Sequence, residues 1–154
     1  METQTQNKTR KTKPSAKGRD YEAFLAQKIK AAKPVGFECA EISDALFPYQ
    51  KKITQWALRR GRAALFCDTG MGKTAMQLEW ANRVTMETGK PVMILAPLAV
   101  AEQTKRECDK LFTYEARVVE KQDEVQWCIN VTNYEKLHHF SPEDFGGIVL
   151  DESS

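Results

Sequence analysis

Apolar residues recur along this chain at the spacing that is typical of amphipathic helices. The pattern predicts one helix that begins at Pro48 and ends at Gly61, and two more over 74–88 and 99–112. Shorter helices are predicted over 20–33 and from Ser141. The three tryptophans fall on positions that the pattern assigns to a core, namely Trp56, Trp80 and Trp127.

Unbroken apolar runs separate these helices, and such runs are typical of strands that are buried on both faces. The first run is Ala63–Cys67, directly after the Pro48 helix, and the second covers 92–96. Further strands are predicted at 116–119, 127–132 and 148–150. Because strands alternate with helices, the sequence predicts an α/β fold with a mainly parallel sheet and flanking helices.

Composition narrows the class of protein. The chain is 42% hydrophobic and 29% charged, with a net charge of +2, as is usual for a soluble globular protein. No apolar run reaches the roughly 18 residues that cross a bilayer, and no apolar segment follows the basic N-terminus as in a secretory signal. Four cysteines without a CxxC pair, and two histidines side by side, predict reduced thiols rather than a zinc site. We therefore expect a cytoplasmic protein.

The first residues differ from the rest of the chain. Residues 1–19 contain no large apolar residue after Met1 and are predicted to be disordered. Over the first 20 residues, lysine and arginine outnumber the acidic residues six to two. This segment is either a solvated tail or an arm for nucleic acid or another acidic partner. The predicted layout is a tail over 1–19, a helix and linker over 20–41, and one domain over 42–154.

Residues 68–74, between the first strand and its helix, read DTGMGKT. Glycine permits backbone angles that let successive N–H groups wrap a phosphate, and the helix that follows contributes its positive end. Lys73 can reach the β- and γ-phosphates, and the Thr74 hydroxyl can bind Mg²⁺. The strict form of the motif has glycine at position 67, where this chain has Cys67. The predicted nucleotide-binding residues of this loop are Thr69, Gly70, Met71, Gly72, Lys73 and Thr74.

Two other features fit the same chemistry. Asp151 and Glu152 follow the last predicted strand. Asp151 would hold Mg²⁺, and Glu152 would orient or deprotonate an attacking water, with Lys73 as its catalytic partner. Gln50 precedes the loop on the Pro48 helix, and its amide can donate and accept at once, which matches an adenine edge. In isolation such polar residues are usually solvated, but their combination with the loop favours a catalytic site.

These motifs together resemble the ATP-binding lobe of superfamily 2 helicases and translocases, and within it the Swi/Snf-like group with its phage members. The resemblance covers about residues 42–154. Five segments are similar to family motifs in the family's order: the adenine-reading element 46–50, motif I at 68–74, motif Ia at 96–100, motif Ib at 131–135 and motif II at 150–154. It implies a RecA-like P-loop fold, ATP and Mg²⁺ as cofactors, and motifs Ia and Ib against a nucleic-acid backbone, with DNA favoured over RNA.

The same resemblance implies that other parts are needed for activity. Members of this family use a second RecA-like lobe with arginine fingers, and a further strand that lies between the motif I and motif II strands. The resemblance therefore implies that this chain is the first half of a motor, with an incomplete sheet, and that it works in the cytoplasm of a bacterium or of a phage-infected cell. Such a half would be inactive alone, or would be completed by a separate chain. Two alternatives stay open: another P-loop enzyme such as a kinase, and a non-catalytic module that holds a nucleotide or nucleic acid.

Overall fold

The computed structural model describes residues 33–152. The predicted tail and nearly all of the predicted helix over 20–33 lie outside the described residues. Within them, the helices are α1 (Pro48–Arg60), α2 (Lys73–Thr88) and α3 (Leu98–Leu111). The strands are β1 (Val92–Leu95), β2 (Ala116–Val118), β3 (Ile129–Thr132) and β4 (Gly147–Leu150). Short 3-10 turns cover Gln122–Glu124, Tyr134–His139 and Pro142–Asp144.

The four strands form one parallel sheet in the order β2-β3-β1-β4. In β1, Val92 is in register with Ile129 of β3 on one side and with Gly147 of β4 on the other. The predicted α/β class is thus confirmed, and the fold is that of a RecA-like lobe. The three long helices and four of the five predicted strands are also confirmed to within about two residues, the usual uncertainty at element ends.

The central strand β1 is buried on both faces. Val92 and Ile94 belong to the main core, which α2 and α3 cover from one side. Met93 and Leu95 face the opposite side and pack in a second cluster with Phe140. This alternation follows from the two-residue period of a strand, and it explains why the run had no polar interruption.

The predicted strand Ala63–Cys67 is wrong. These residues lie outside the sheet, and the Phe66 side chain is 98% exposed. A strand needs a hydrogen-bonding neighbour as well as an apolar sequence, and a local pattern reports only the second condition.

The topology shows where such a strand would have to pair. The helices α2 and α3 lie on the same face, and right-handed crossovers on one face advance in one direction. The β1–α3–β2 connection advances away from β4, so a strand at 63–67 belongs on the β4 side of β1. Within the described chain β4 is the edge of the sheet there and pairs with β1 alone.

Three smaller expectations concern the tryptophans, the segment after Ser141 and membrane-spanning helices. Trp80 packs against the main core as predicted, but Trp56 and Trp127 are exposed, so the core assignment was wrong for these two. The helix predicted from Ser141 is only the 3-10 turn Pro142–Asp144. Over residues 33–152, no helix has the length and apolar character needed to cross a membrane.

The four cysteines are free thiols. Burial raises the pKa of Cys108 to about 12 and that of Cys128 to about 11, so both thiols stay protonated at neutral pH. Protonated thiols that are buried, like Cys108, or partly buried, like Cys128, behave as small apolar groups.

Candidate phosphate and magnesium site

The DTGMGKT loop leads directly into α2. Gly70 and Gly72 have φ angles of +80° and +69°, in the left-handed region that favours glycine. Gly72 also lies very close to α1: a Cβ atom at this position would be 2.3 Å from Nε2 of Gln50. The left-handed backbone angle therefore favours glycine at this position, and any larger residue would also have to displace the Gln50 amide.

Side chains of the first turn of α1 donate hydrogen bonds to this loop. The backbone N–H of Phe47 donates to Oε1 of Gln50 over 2.8 Å, and Nε2 of Gln50 donates to the carbonyl oxygen of Met71 over 3.1 Å. The Tyr49 hydroxyl donates to the same carbonyl over 3.2 Å. Gln50 is 4% exposed, so it is not a solvent-facing helix residue. Its amide nitrogen carries a second N–H, and adenine recognition by this group stays a prediction.

Lys73 and Thr74 are the first two residues of α2. Nζ of Lys73 donates to the carbonyl oxygen of Cys67 over 3.2 Å, so the ammonium group folds back across the loop. Residues 68–72, which include Thr69, Gly70 and Met71, form the exposed part of the loop. The free N–H groups of a helix start and a nearby ammonium group make this end of α2 suitable for binding an anion.

Asp151 follows β4 and is held close to the same helix. Its backbone N–H donates to the carbonyl oxygen of Leu95 over 2.8 Å, and Nε2 of Gln77 donates to its Oδ1 over 2.8 Å. Gln77 lies three residues after Thr74, on the same face of α2 and one turn further along. The structure therefore brings Asp151, which is 7% exposed, beside the first turns of the helix that follows the phosphate loop.

Glu152 occupies an unusual backbone position. Its φ angle is +50°, and it is the non-glycine residue with positive φ among the residues that the structure describes. Such a conformation costs an L-residue roughly 1–2 kcal/mol. The side chain is exposed. The chain thus places Glu152 next to Asp151, and its role toward a water molecule stays a prediction.

Gln77 and Tyr134 were not assigned to this site by the sequence analysis. Gln77 contacts the Asp151 carboxylate, and the Tyr134 hydroxyl donates to the Asp151 carbonyl oxygen over 2.7 Å. Burial raises the pKa of Tyr134, and the negative charges of Asp151 and Glu152 raise it further, so the hydroxyl keeps its proton at neutral pH. Gln77 lies three residues after Thr74, a spacing that places both on one face of a helix, and this was the one sequence signal that could have pointed to it.

The donor set fits a hydrated magnesium ion better than a metal held by protein ligands alone. Over residues 33–152, no group of three or more His, Cys, Asp or Glu side chains lies close enough to hold a metal. A threonine hydroxyl and one carboxylate are instead what Mg²⁺ uses when phosphate oxygens and water supply the other ligands. The left-handed glycines beside them suit the phosphate groups of a nucleotide.

Comparison with known proteins identifies the family of this chain. The sequence model of the type III restriction enzyme res subunit matches residues 43–153, a span that includes α1, the loop, the whole sheet and Asp151. The matched region is a helicase superfamily 2-type N-terminal domain. No curated protein and no solved structure matches the chain. Because the match spans most of its residues, this chain belongs to the family of the type III restriction enzyme res subunit.

Proposed function

We propose that this chain binds Mg-ATP and is the ATP-binding lobe of a DNA-dependent ATPase, a helicase or a double-strand translocase of the Swi/Snf-like kind. One observation carries the proposal. The helix that begins at Lys73 and Thr74 is joined through Gln77 to the Asp151 carboxylate. A phosphate-binding helix start and an acidic strand end are therefore side by side, as nucleotide hydrolysis requires.

Each residue has a defined part in this proposal. The loop amides and the Lys73 ammonium would bind the phosphates, and Thr74 with Asp151 would hold Mg²⁺. When bound, the ion neutralises charge on the phosphate oxygens. Glu152 would orient the attacking water, and the Gln50 amide would contact the adenine edge.

Nucleic acid is the proposed partner at the carboxyl ends of the strands, where the candidate site also lies. The segments 96–100 and 131–135 follow β1 and β3, and the carboxyl ends of parallel strands meet at one edge. Leu98 is exposed at the start of α3, and Tyr134 is partly exposed after β3. We favour DNA over RNA from the resemblance to DNA motors. The basic segment over 1–19 is either a further contact with DNA or a solubilising tail.

The open edge of the sheet supports a requirement for additional parts. Ile148 and Leu150 of β4 are 43% and 54% exposed, and β4 has no partner on its outer side in the described chain. The apolar segment 63–67 lies outside the sheet, and a right-handed connection through α2 would place a strand formed by this segment on that side of β4. A strand between them would cover both. We propose that this strand and a second lobe, from the same protein or from another chain, complete the ATPase.

A non-catalytic nucleotide-binding module is the second candidate. The exposed position of Glu152 and the open edge beside it favour this candidate, because binding needs the loop alone whereas hydrolysis needs the acidic pair held in place. A kinase-like P-loop enzyme would need an acceptor pocket and lid arginines, and the acidic strand end at Asp151 beside α2 favours the motor instead.

Nucleotide selectivity tests the proposed function. We expect the chain to bind a fluorescent Mg-ATP analogue more tightly than the matching GTP analogue. The variant Gln50→Glu should lose about two- to tenfold more affinity for ATP than for GTP, because the lost hydrogen bond to adenine affects ATP alone, whereas the lost hydrogen bond to Met71 affects both nucleotides. Gln55→Glu is the matched control, since Gln55 lies on the same helix but donates to the Cys39 carbonyl oxygen. Equal affinity for ATP and GTP would remove the adenine role, and binding of neither nucleotide would contradict the proposed function.

A further inference from the structure

Besides its backbone hydrogen bond to β1, Asp151 is contacted by two side chains from other elements, on two different chemical groups. Gln77 of α2 donates to its carboxylate, whereas Tyr134, two residues beyond β3, donates to its backbone carbonyl. These contacts join residues that are 74 and 17 positions apart in the chain. The acidic turn is therefore held by tertiary contacts as well as by its own strand.

The Tyr134 contact acts on the peptide plane that leads into Glu152. The carbonyl oxygen of Asp151 and the N–H of Glu152 belong to one rigid peptide unit. A hydrogen bond to that oxygen therefore limits rotation on both sides of the unit, including the unfavourable φ angle of Glu152. Tyr134 itself is well placed, because the Asn133 side chain accepts from the N–H of Lys136 over 3.0 Å and so caps the turn that begins at Tyr134.

The Gln77 contact leaves one acceptor unused. Its Oε1 atom is buried and has no hydrogen-bond partner among the described residues, while its Nε2 atom is engaged with Asp151. A buried acceptor without a donor is uncommon, and a water or an ion is one of the partners that can supply the missing contact. A hydrated Mg²⁺ ion brings water hydrogens of the kind that this oxygen lacks.

We propose that Gln77 and Tyr134 are positioning residues for the magnesium site: Gln77 orients the Asp151 carboxylate and receives a water hydrogen, and Tyr134 fixes the peptide between Asp151 and Glu152. The inference rests on the proposed function, because it assumes that Asp151 holds Mg²⁺. Neither side chain needs to touch the phosphates. Removal of either contact should therefore weaken the effect of Mg²⁺ on nucleotide binding without changing nucleotide binding in its absence.

The test uses the variants Gln77→Met and Tyr134→Phe, which keep side-chain size and remove the donating group. Affinity for a ribose-labelled fluorescent ATP analogue is measured in EDTA and across a MgCl₂ titration. We expect each variant to need about tenfold or more Mg²⁺ for the half-maximal effect, the usual cost of losing a partner of a metal ligand. Affinity in EDTA should stay within about twofold of the parent chain, which is close to the smallest difference that binding assays resolve.

The controls remove similar groups elsewhere. Gln103 is an exposed glutamine of α3, and the Trp127 indole donates to the Gly89 carbonyl oxygen at the amino ends of β3 and β1, away from Asp151. Gln103→Met and Trp127→Phe should therefore keep the parent Mg²⁺ dependence.

Three other results would contradict part of this account. Unchanged Mg²⁺ dependence in both variants would overturn the inference and leave the proposed function standing. Equal losses with and without Mg²⁺ would also overturn it, since they indicate general damage to the fold. A parent chain whose nucleotide binding ignores Mg²⁺ would overturn both the inference and the proposed magnesium site.

Discussion

Lys73→Ala is expected to lower the affinity of the chain for ATP by about tenfold or more. The substitution removes the ammonium group that lies across the phosphate loop, where it donates to the Cys67 carbonyl oxygen. Charge-assisted contacts of this kind contribute roughly 1.5–3 kcal/mol, which corresponds to about one to two orders of magnitude in affinity. Fluorescence titration with a labelled ATP analogue in the presence of Mg²⁺ measures the change.

Lys90→Ala is the matched control for this prediction. Nζ of Lys90 also donates to a backbone carbonyl, that of Glu143 over 2.7 Å, but both residues precede their strands and so lie at the amino ends of β1 and β4, away from the loop. The control should bind ATP as the parent chain does. Unchanged ATP affinity in Lys73→Ala, with the fold intact by circular dichroism, would refute the assignment of Lys73 to the phosphates.

The second large effect concerns turnover. We expect the chain alone to release phosphate from ATP barely above background, with or without DNA, and hydrolysis to appear only when a second lobe is supplied. A missing arginine finger costs about 10³–10⁵ in rate in other P-loop enzymes. In addition, the turn at Glu152 follows the edge strand β4, and a displacement of about 1 Å can cost roughly 100-fold.

A steady-state phosphate-release assay on the purified chain, with and without double-stranded DNA, decides this point. The variant Glu152→Gln serves as the background, since it removes the proposed base and keeps the side-chain size. Robust hydrolysis that DNA stimulates, and that Glu152→Gln abolishes, would show that one lobe is sufficient and would contradict the requirement for a second one.

The helices and the central strand could be predicted because their signals are local. α1 begins at Pro48 and ends before Gly61, and α2 ends before Gly89, each at a residue with a known capping preference. The run at 92–95 is apolar without interruption because β1 is buried on both faces. In these elements the local preference and the tertiary environment agree, so pattern alone was sufficient.

The segment Ala63–Cys67 shows the limit of that argument. Its composition is that of a buried strand, but pairing depends on what lies beside β4, which no pattern within five residues can report. The exposed side chain of Phe66 is the visible result. Sequence patterns predict which segments are able to form strands, whereas the sheet decides which of them do.

The residues of the candidate site also differ in whether the sequence alone could predict their roles. The loop glycines are recognisable from sequence because their left-handed φ angles restrict the residue type directly. The contacts of Gln77 and Tyr134 with Asp151 could not be predicted, since each joins elements that only the folded sheet brings together. Gln50 lies between these cases: its type suggested adenine recognition, but its burial against Met71 required the structure.

Backbone amide hydrogen exchange with and without Mg-ATP tests the central claim most directly, because it locates the bound nucleotide on the chain. The account predicts that protection is concentrated in the loop and first turn of α2, over 68–76, and at Asp151 and Glu152, and that Lys73→Ala removes it. Protection confined to other parts of the chain, or none at 68–76 at saturating Mg-ATP, would contradict the account.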